Sequence, residues 1–165
     1  MFYLLGGLLL WYCIIFVYKT KTGSPSVWSR DEQIKRLLKY VKPGMAVADM
    51  GSGDGRVLIE AEGAGAEWGE GWEIEPYVWL LSQKKLRRAK NREKIKSHFG
   101  DMWKADLSKY DLVFVYQLSR YAPRFVAKCK KEMKKGSIVI ANTYPLDGLP
   151  LIKRDHELYV YEIGS

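Results

Sequence analysis

Asp49-Met50-Gly51-Ser52-Gly53-Asp54-Gly55-Arg56 is the stretch on which the fold turns. Three glycines alternate through it, and acids stand at its start and middle. The apolar run Met45-Ala46-Val47-Ala48 leads in and reads as a buried strand ending at Asp49. Val57, Leu58 and Ala61 follow as one helix face, ended by Gly63. A strand, a glycine turn and a helix open a βαβ unit. The glycines let backbone approach a ligand, and the helix N-terminus faces it.

Working outward, the alternation continues. Ala66 to Glu73 reads as a second strand, and Pro76 to Ala89 as a helix with proline at a favoured first-turn position. Ile95 to Phe99 is a weaker strand, and Leu112-Val113-Phe114-Val115-Tyr116 a strong one. Ala122 to Lys135 is a helix closed by Gly136, and Ser137 to Ala141 a fifth strand. Leu158, Val160 and Glu162 alternate as a terminal antiparallel strand. Upstream, Ser29 and Glu32 fit a capping box ahead of a helix with Ile34, Leu37, Leu38 and Val41 on one face, stopped by Lys42-Pro43-Gly44. The pattern predicts an α/β fold, a doubly wound, Rossmann-like, mostly parallel sheet. Such sheets bind ligands beyond the carboxyl ends of their strands. The expected site therefore lies at Asp49 to Gly55, Glu73 to Glu75, Asp101 to Trp103, Tyr116 to Ser119 and Tyr144-Pro145.

The chain has 165 residues and a net charge of +8, which suits one domain. Two cysteines, Cys13 and Cys129, cannot make a disulfide framework or a cysteine-rich zinc site. His98 and His156 stand far apart without ligand-type neighbours, so no metal is expected. Residues 1–18, MFYLLGGLLLWYCIIFVY, carry no charged side chain. At about 1.5 Å per residue they span roughly 27 Å, close to a bilayer core of about 30 Å. The start is not basic and no small-residue cleavage site follows, so the segment reads as a retained transmembrane helix. An uncleaved signal and a buried core helix are the alternatives. Cys13 reads as apolar filler in it. Lys19, Lys21 and Arg30 follow, which puts the remainder on the cytoplasmic side. Residues 19–28 form a linker with Gly23, Ser24, Pro25 and Ser26, and 29–165 form the folded domain.

The glycine stretch departs from the dinucleotide fingerprint G-x-G-x-x-G, because its sixth position is Arg56. The acid at the strand tip would repel a pyrophosphate but suits a cation. S-adenosylmethionine carries an ammonium and a sulfonium and no phosphate. Glu73 lies 18 residues beyond Gly55 at the end of the second strand, where an acid accepts from both ribose hydroxyls. Asp101 closes the third strand and can accept from an adenine amine, with Met102 or Trp103 against the ring.

These residues resemble the seven-β-strand, S-adenosylmethionine-dependent methyltransferases. More narrowly, DMGSGDGR, GWEIEP, GDMWKADLSKYD and VFVY are similar to the small membrane-anchored protein-lysine methyltransferases that act on the adenine nucleotide translocase and the c-subunit of ATP synthase. The resemblance covers roughly Trp28 to Ile163 and implies a seven-stranded sheet. It also implies a methyl-transfer enzyme whose cofactor lies along Asp49, Gly51, Ser52, Gly53 and Gly55, with ribose at Glu73 and adenine at Asp101 and Met102. The expected nucleophile is a lysine amine of a membrane protein. Tyr116, Gln117 and Tyr144 are the candidates to orient it. The stretch before the first helix has only Pro25, Val27 and Trp28 where the family carries more proline. Tyr116-Gln117-Leu118-Ser119 lacks the Asn/Asp-Pro-Pro-aromatic pattern of amino-methylating DNA enzymes, so DNA is not an expected partner.

Lys84 to Lys96 holds eight basic residues and one acid; Lys128 to Lys135 holds five and one. Solvated helix faces explain such runs, and so does contact with anionic lipid headgroups beside a membrane anchor. No aromatic interleaves Lys84 to Lys96, so an RNA-stacking surface is not evident. A methyltransferase of lipid headgroups, small amines or RNA, and a silent cofactor-binding scaffold, are the competing expectations.

Overall fold

The computed structural model describes residues 6–7, 10–13 and 29–164. The linker 19–28 lies outside the described residues, as does most of the expected transmembrane segment 1–18. Among the described residues, no helix is long and apolar enough to cross a membrane.

Seven strands form one sheet: β1 (Ala46–Met50), β2 (Trp68–Glu73), β3 (Ile95–Phe99), β4 (Leu112–Val115), β5 (Ile138–Asn142), β6 (Leu151–Asp155) and β7 (Leu158–Glu162). Their order is β3-β2-β1-β4-β5-β7-β6. The first five are parallel, while β7 runs antiparallel to both β5 and β6. The helix α1 (Asp31–Leu38) precedes β1, and α2 (Arg56–Gly63), α3 (Pro76–Leu86) and α4 (Ala122–Glu132) connect strands. The order reverses between β1 and β4, so the topological switch point falls at the glycine stretch.

The sheet is buried on both faces at its centre, which is why β1 and β4 read as unbroken apolar runs. Leu37, Val47, Val57, Leu112, Ile140 and Leu158 pack on one face under α1 and α2. Tyr110, Val113, Phe125, Cys129 and Val139 pack on the other under α4. Leu58, Leu86 and Ile95 close the space beneath α3.

Two local expectations are corrected. The start of α1 lies one residue later than the Ser29/Glu32 pair implies: Arg30 precedes the helix, and the Gln33 side chain accepts from the Arg30 N–H at 2.8 Å. The shift follows from tertiary contacts, because Gln33 also donates to Asn142 at 3.2 Å and Arg30 pairs with Glu157 at 3.1 Å. The strand β6 had no signal in the sequence, because four of its five residues are exposed and no alternation marks it. It hairpins onto β7 through His156, whose φ is 58°.

Candidate active site

The chain from α1 onward reaches the site end of the sheet early. Asp31 lies 3.7 Å from the Arg56 guanidinium, at the start of α2. Gln33 bonds Asn142 at the tip of β5. Both contacts put the first turn of α1 at the carboxyl ends of the strands.

The glycine loop is held from below. The N–H groups of Gly51 and Ser52 donate to the Trp72 carbonyl at 3.0 and 2.9 Å. The Gly53 N–H donates to a Glu73 carboxylate oxygen at 3.0 Å, and Gly55 to the Ser52 carbonyl at 2.9 Å. A loop that cradles a pyrophosphate points such groups at its ligand. Here four of them are committed to protein acceptors. Gly51 and Gly53 take φ of 89° and 54°, and a Cβ on either would meet nothing within 4 Å. Gly51 and Gly53 thus leave room above the loop. Gly55 serves another purpose: a Cβ there would collide with Leu86 Cδ1, so Gly55 lets α2 and α3 pack. The Ser52 side chain is likewise turned down, against Gly71, where a Cβ would lie 2.5 Å from Ser52 Cβ. Ser52 Oγ is buried and has no hydrogen-bond partner among the described residues.

Three acids surround this loop, and their environments differ. Asp49 is buried in β1, between Gly71 and Phe114. Burial pushes its carboxyl up to about 8, and repulsion from Glu73 and Asp54 adds to that. Burial also opposes the Asp54 carboxylate, but bonds from Arg56 and Lys85 outweigh it and hold its pKa below the ordinary value. Asp54 is therefore an internal tie between the start of α2 and the last turn of α3. Glu73 is buried at the end of β2. One oxygen accepts from Gly53 and the other from the Glu75 N–H at 2.8 Å, which fixes the carboxylate; each oxygen can accept more than one donor. A fixed carboxylate beside a protonated one that a cation would ionise suits a cationic ligand with hydroxyl groups. The open space over Gly51 and Gly53 and the buried Asp49 fit S-adenosylmethionine.

Asp101 and Met102 follow β3, next to Glu73 through the Gly100 N–H, which donates to the Glu73 carbonyl at 2.9 Å. Asp101 accepts from the Trp103 N–H at 3.0 Å, so one oxygen already orders the turn. Met102 is half-buried against the core. Trp103 belongs to that core: its ring packs edge-on against Phe125, with the Arg124 guanidinium 4.0 Å above it.

Past β4, Gln117 is buried, and neither its amide nitrogen nor its oxygen has a partner among the described residues. The register Met50–Val115–Ala141 carries Tyr116 and Gln117 to the gap between the glycine loop and the tip of β5. Tyr144 is half-buried beyond that tip, and its N–H donates to the Asn142 carbonyl at 2.8 Å. Asn142 is a site residue that sequence reasoning missed. It is buried, its oxygen accepts from Gln33 and Thr143, and its amide nitrogen is unpartnered among the described residues. An amide directly ending an apolar strand was the available signal, as Asp49 was for β1.

Residues 49–153 match the model of the ANTKMT methyltransferase domain. The chain belongs to the ANTKMT methyltransferase domain family. Among its curated relatives, the lysine N-methyltransferase of the ATP synthase c-subunit from Xenopus laevis is 29% identical over 86% of this chain and 64% of its own length. The mouse adenine nucleotide translocase lysine N-methyltransferase is 28% identical over 74% of this chain and 54% of its own length. The chain thus spans about half to two thirds of these relatives. A protein-lysine N-methyltransferase of Saccharolobus islandicus matches at 26% over 86% of this chain and 94% of its length. An RNA methyltransferase of Salinibacter ruber, crystallised with S-adenosyl-L-homocysteine, shares the fold at TM-score 0.77 and 23% identity, covering 83% of this chain and 94% of that one. The ANTKMT domain match begins at Asp49, the first residue of the glycine stretch.

Proposed function

We propose that this protein is a membrane-anchored, S-adenosylmethionine-dependent protein-lysine N-methyltransferase acting on a membrane-associated protein. The observation that carries the proposal is the buried Asp49 beside the fixed Glu73, under a glycine loop whose N–H groups are turned away from the ligand side. The family supports the activity, and the lysine-methylating relatives support the nucleophile. Support for an anchor comes from the charge-free residues 1–18, of which Leu10, Trp11 and Tyr12 are at least half exposed rather than buried in the domain. The catalytic domain then stands on the cytoplasmic or matrix side, where Lys19 and Lys21 lie.

When bound, S-adenosylmethionine supplies an activated methyl group for a single in-line displacement. The chain contributes position and dryness. Asp49 balances positive charge, Glu73 holds hydroxyls, and Asp101 with Met102 borders the far end. A lysine of pKa about 10.4 must arrive as the free amine, so its pKa has to fall on leaving water. Leaving water lowers it, and Gln117 then orients the amine. Its unpartnered carbonyl oxygen accepts an amine N–H and aims the lone pair, with Tyr116 and Tyr144 flanking it. Transfer of labelled methyl groups to isolated membrane proteins, with extracted lipids as the parallel sample, tests the reading. Label in the lipids alone overturns the protein substrate.

A further inference from the structure

The strand order divides the carboxyl edge of the sheet. Asp101 follows β3, Glu73 ends β2 and Asp49 lies in β1, so the cofactor residues take three neighbouring strands. The next two, β4 and β5, lead away from them and end in two amides. Val115 pairs with Ala141, so Tyr116 stands beside Asn142 and Gln117 follows. Neighbouring strands lie about 4.8 Å apart, within reach of side chains of this length. Gln117 is 3% exposed and Asn142 1%. Among the described residues, neither end of the Gln117 amide has a partner, and neither has Asn142 Nδ2.

The sense of the Asn142 amide is set from a distance. The backbone N–H of Arg30 can only donate, so Gln33 turns its oxygen to it, at 2.8 Å. Gln33 is left with Nε2, which donates to Asn142 Oδ1 at 3.2 Å. The Thr143 hydroxyl donates to the same oxygen at 3.1 Å. Asn142 therefore keeps Nδ2 for another partner, and Nδ2 can only donate. The backbone behind it is held as well. The Tyr144 N–H donates to the Asn142 carbonyl at 2.8 Å across Thr143, whose φ is 68°. So tight a turn, centred on a β-branched residue at positive φ, persists only where its surroundings fix it. The Thr143 N–H does this by donating to the Glu157 carbonyl at 2.7 Å.

The two ends of the Gln117 amide are alike in shape and opposite in hydrogen bonding. The oxygen accepts an amine N–H; the nitrogen does not. Asn142 Nδ2 tells them apart, because a donor pairs with the oxygen alone. That oxygen has two lone pairs, one for Asn142 and one for an amine N–H.

We propose that Gln33 and Asn142 are positioning residues for methyl transfer: as the site fills, Asn142 Nδ2 donates to Gln117 Oε1 and so fixes which end of the Gln117 amide meets the amine. The proposal rests on the lysine-methylating reading above, with Gln117 as the group that orients the nucleophile. The start of α1 then sets the hydrogen-bond sense at the nucleophile through the Arg30 N–H, Gln33, Asn142 and Gln117 in series.

The test follows transfer of labelled methyl groups by the full chain in detergent to isolated membrane proteins at saturating cofactor, beside calorimetric cofactor affinity. Asn142→Leu should slow transfer at least about fivefold and leave cofactor affinity within about twofold. Gln117→Leu is slower still, and adding Asn142→Leu to it should cost less than about twofold more, because residues acting in series are not additive. Losses that multiply overturn the relay and leave Gln117 in its role. A normal rate for Asn142→Leu, or a matching loss of cofactor affinity, overturns it as well. A normal rate for Gln117→Leu removes the orienting group itself, and no transfer to protein removes the lysine reading; either takes the relay with it. A second measurement needs no turnover. The chain has two asparagines, Asn91 and Asn142, so nitrogen-15 labelling of asparagine gives two side-chain amide signals by nuclear magnetic resonance. S-adenosyl-L-homocysteine with n-butylamine should shift the Asn142 signal in the wild type and not in Gln117→Leu. No shift in the wild type, or the same shift in both proteins, overturns the relay.

Discussion

Raising the pH from about 6 to about 8 should tighten S-adenosylmethionine binding, and the effect can be sized from Asp49. In the free protein its carboxyl is protonated below about 8, chiefly through burial and then through repulsion from Glu73 and Asp54. Cation binding requires the ionised form, so the apparent affinity scales with the ionised fraction. That fraction is about one hundredth at pH 6 and one half at pH 8, a gain of about 50-fold, or roughly 2.3 kcal/mol. Above pH 8 the gain flattens, because the Asp49 carboxyl is then mostly ionised. Calorimetric titration in two buffers of different ionisation enthalpy measures both affinity and proton release. Close to one proton should leave per site at pH 6. Asp49→Asn should bind more weakly at pH 8 and show no such pH dependence. Folding carries the opposite sign: an acid whose folded pKa is raised is protonated in the native state alone between about 4 and 8. Stability without ligand therefore falls as pH rises through that window, and Asp49→Asn removes the slope. A flat wild-type affinity between pH 6 and 8, with no proton released, would refute the role of Asp49.

Glu73→Ala should cost about 1.5–3 kcal/mol of cofactor affinity by calorimetry, since a charged acceptor of hydroxyls and the loop tie at Gly53 are both lost; unchanged affinity would remove Glu73 from the site. Gly55→Ala should lower stability by about 1–3 kcal/mol in urea titrations, from a positive φ and the clash with Leu86, and Leu86→Ala in the same chain should recover only the steric share. Gln117→Leu should leave the melting temperature equal or higher, because a buried unpartnered amide costs about 1–3 kcal/mol, while kcat falls at least about tenfold; an unchanged kcat removes Gln117 from the reaction. Burial opposes ionisation of Glu70, but bonds from Tyr110 and His98 outweigh it and hold its pKa low. Its contribution is present above an unfolded value near 4.5 and is lost as pH falls through the lower folded one. The stability gap between wild type and Glu70→Gln should thus close on acidification.

Much of the site was legible because β-strand tips and glycine turns leave strong local marks. Asp49 and Glu73 stand at the ends of β1 and β2, and Asp101 lies two residues past β3, so their place at the carboxyl edge follows from parallel winding. Pro76 and Gly63 bound their helices as written. Gln33, Asn142 and Glu157 were not legible as partners, since their bonds join residues more than a hundred positions apart or depend on the β6–β7 hairpin. β6 left no pattern because it is an exposed edge.

By itself the sequence determined the winding, the cofactor class and the strand-end acids, because each rests on residues close in the chain or on a repeated period. Tertiary structure alone decided three other matters. It turned the loop N–H groups inward and buried Asp49 beyond its ordinary ionisation, which depends on neighbouring strands. It assigned Gly55 and Ser52 to packing, since only the meeting of α2, α3 and β2 fills the space beside them. It also carried both basic runs to the amino end of the domain, because helices that cross back over a parallel sheet carry their last turns away from the site while their first turns stay at its rim.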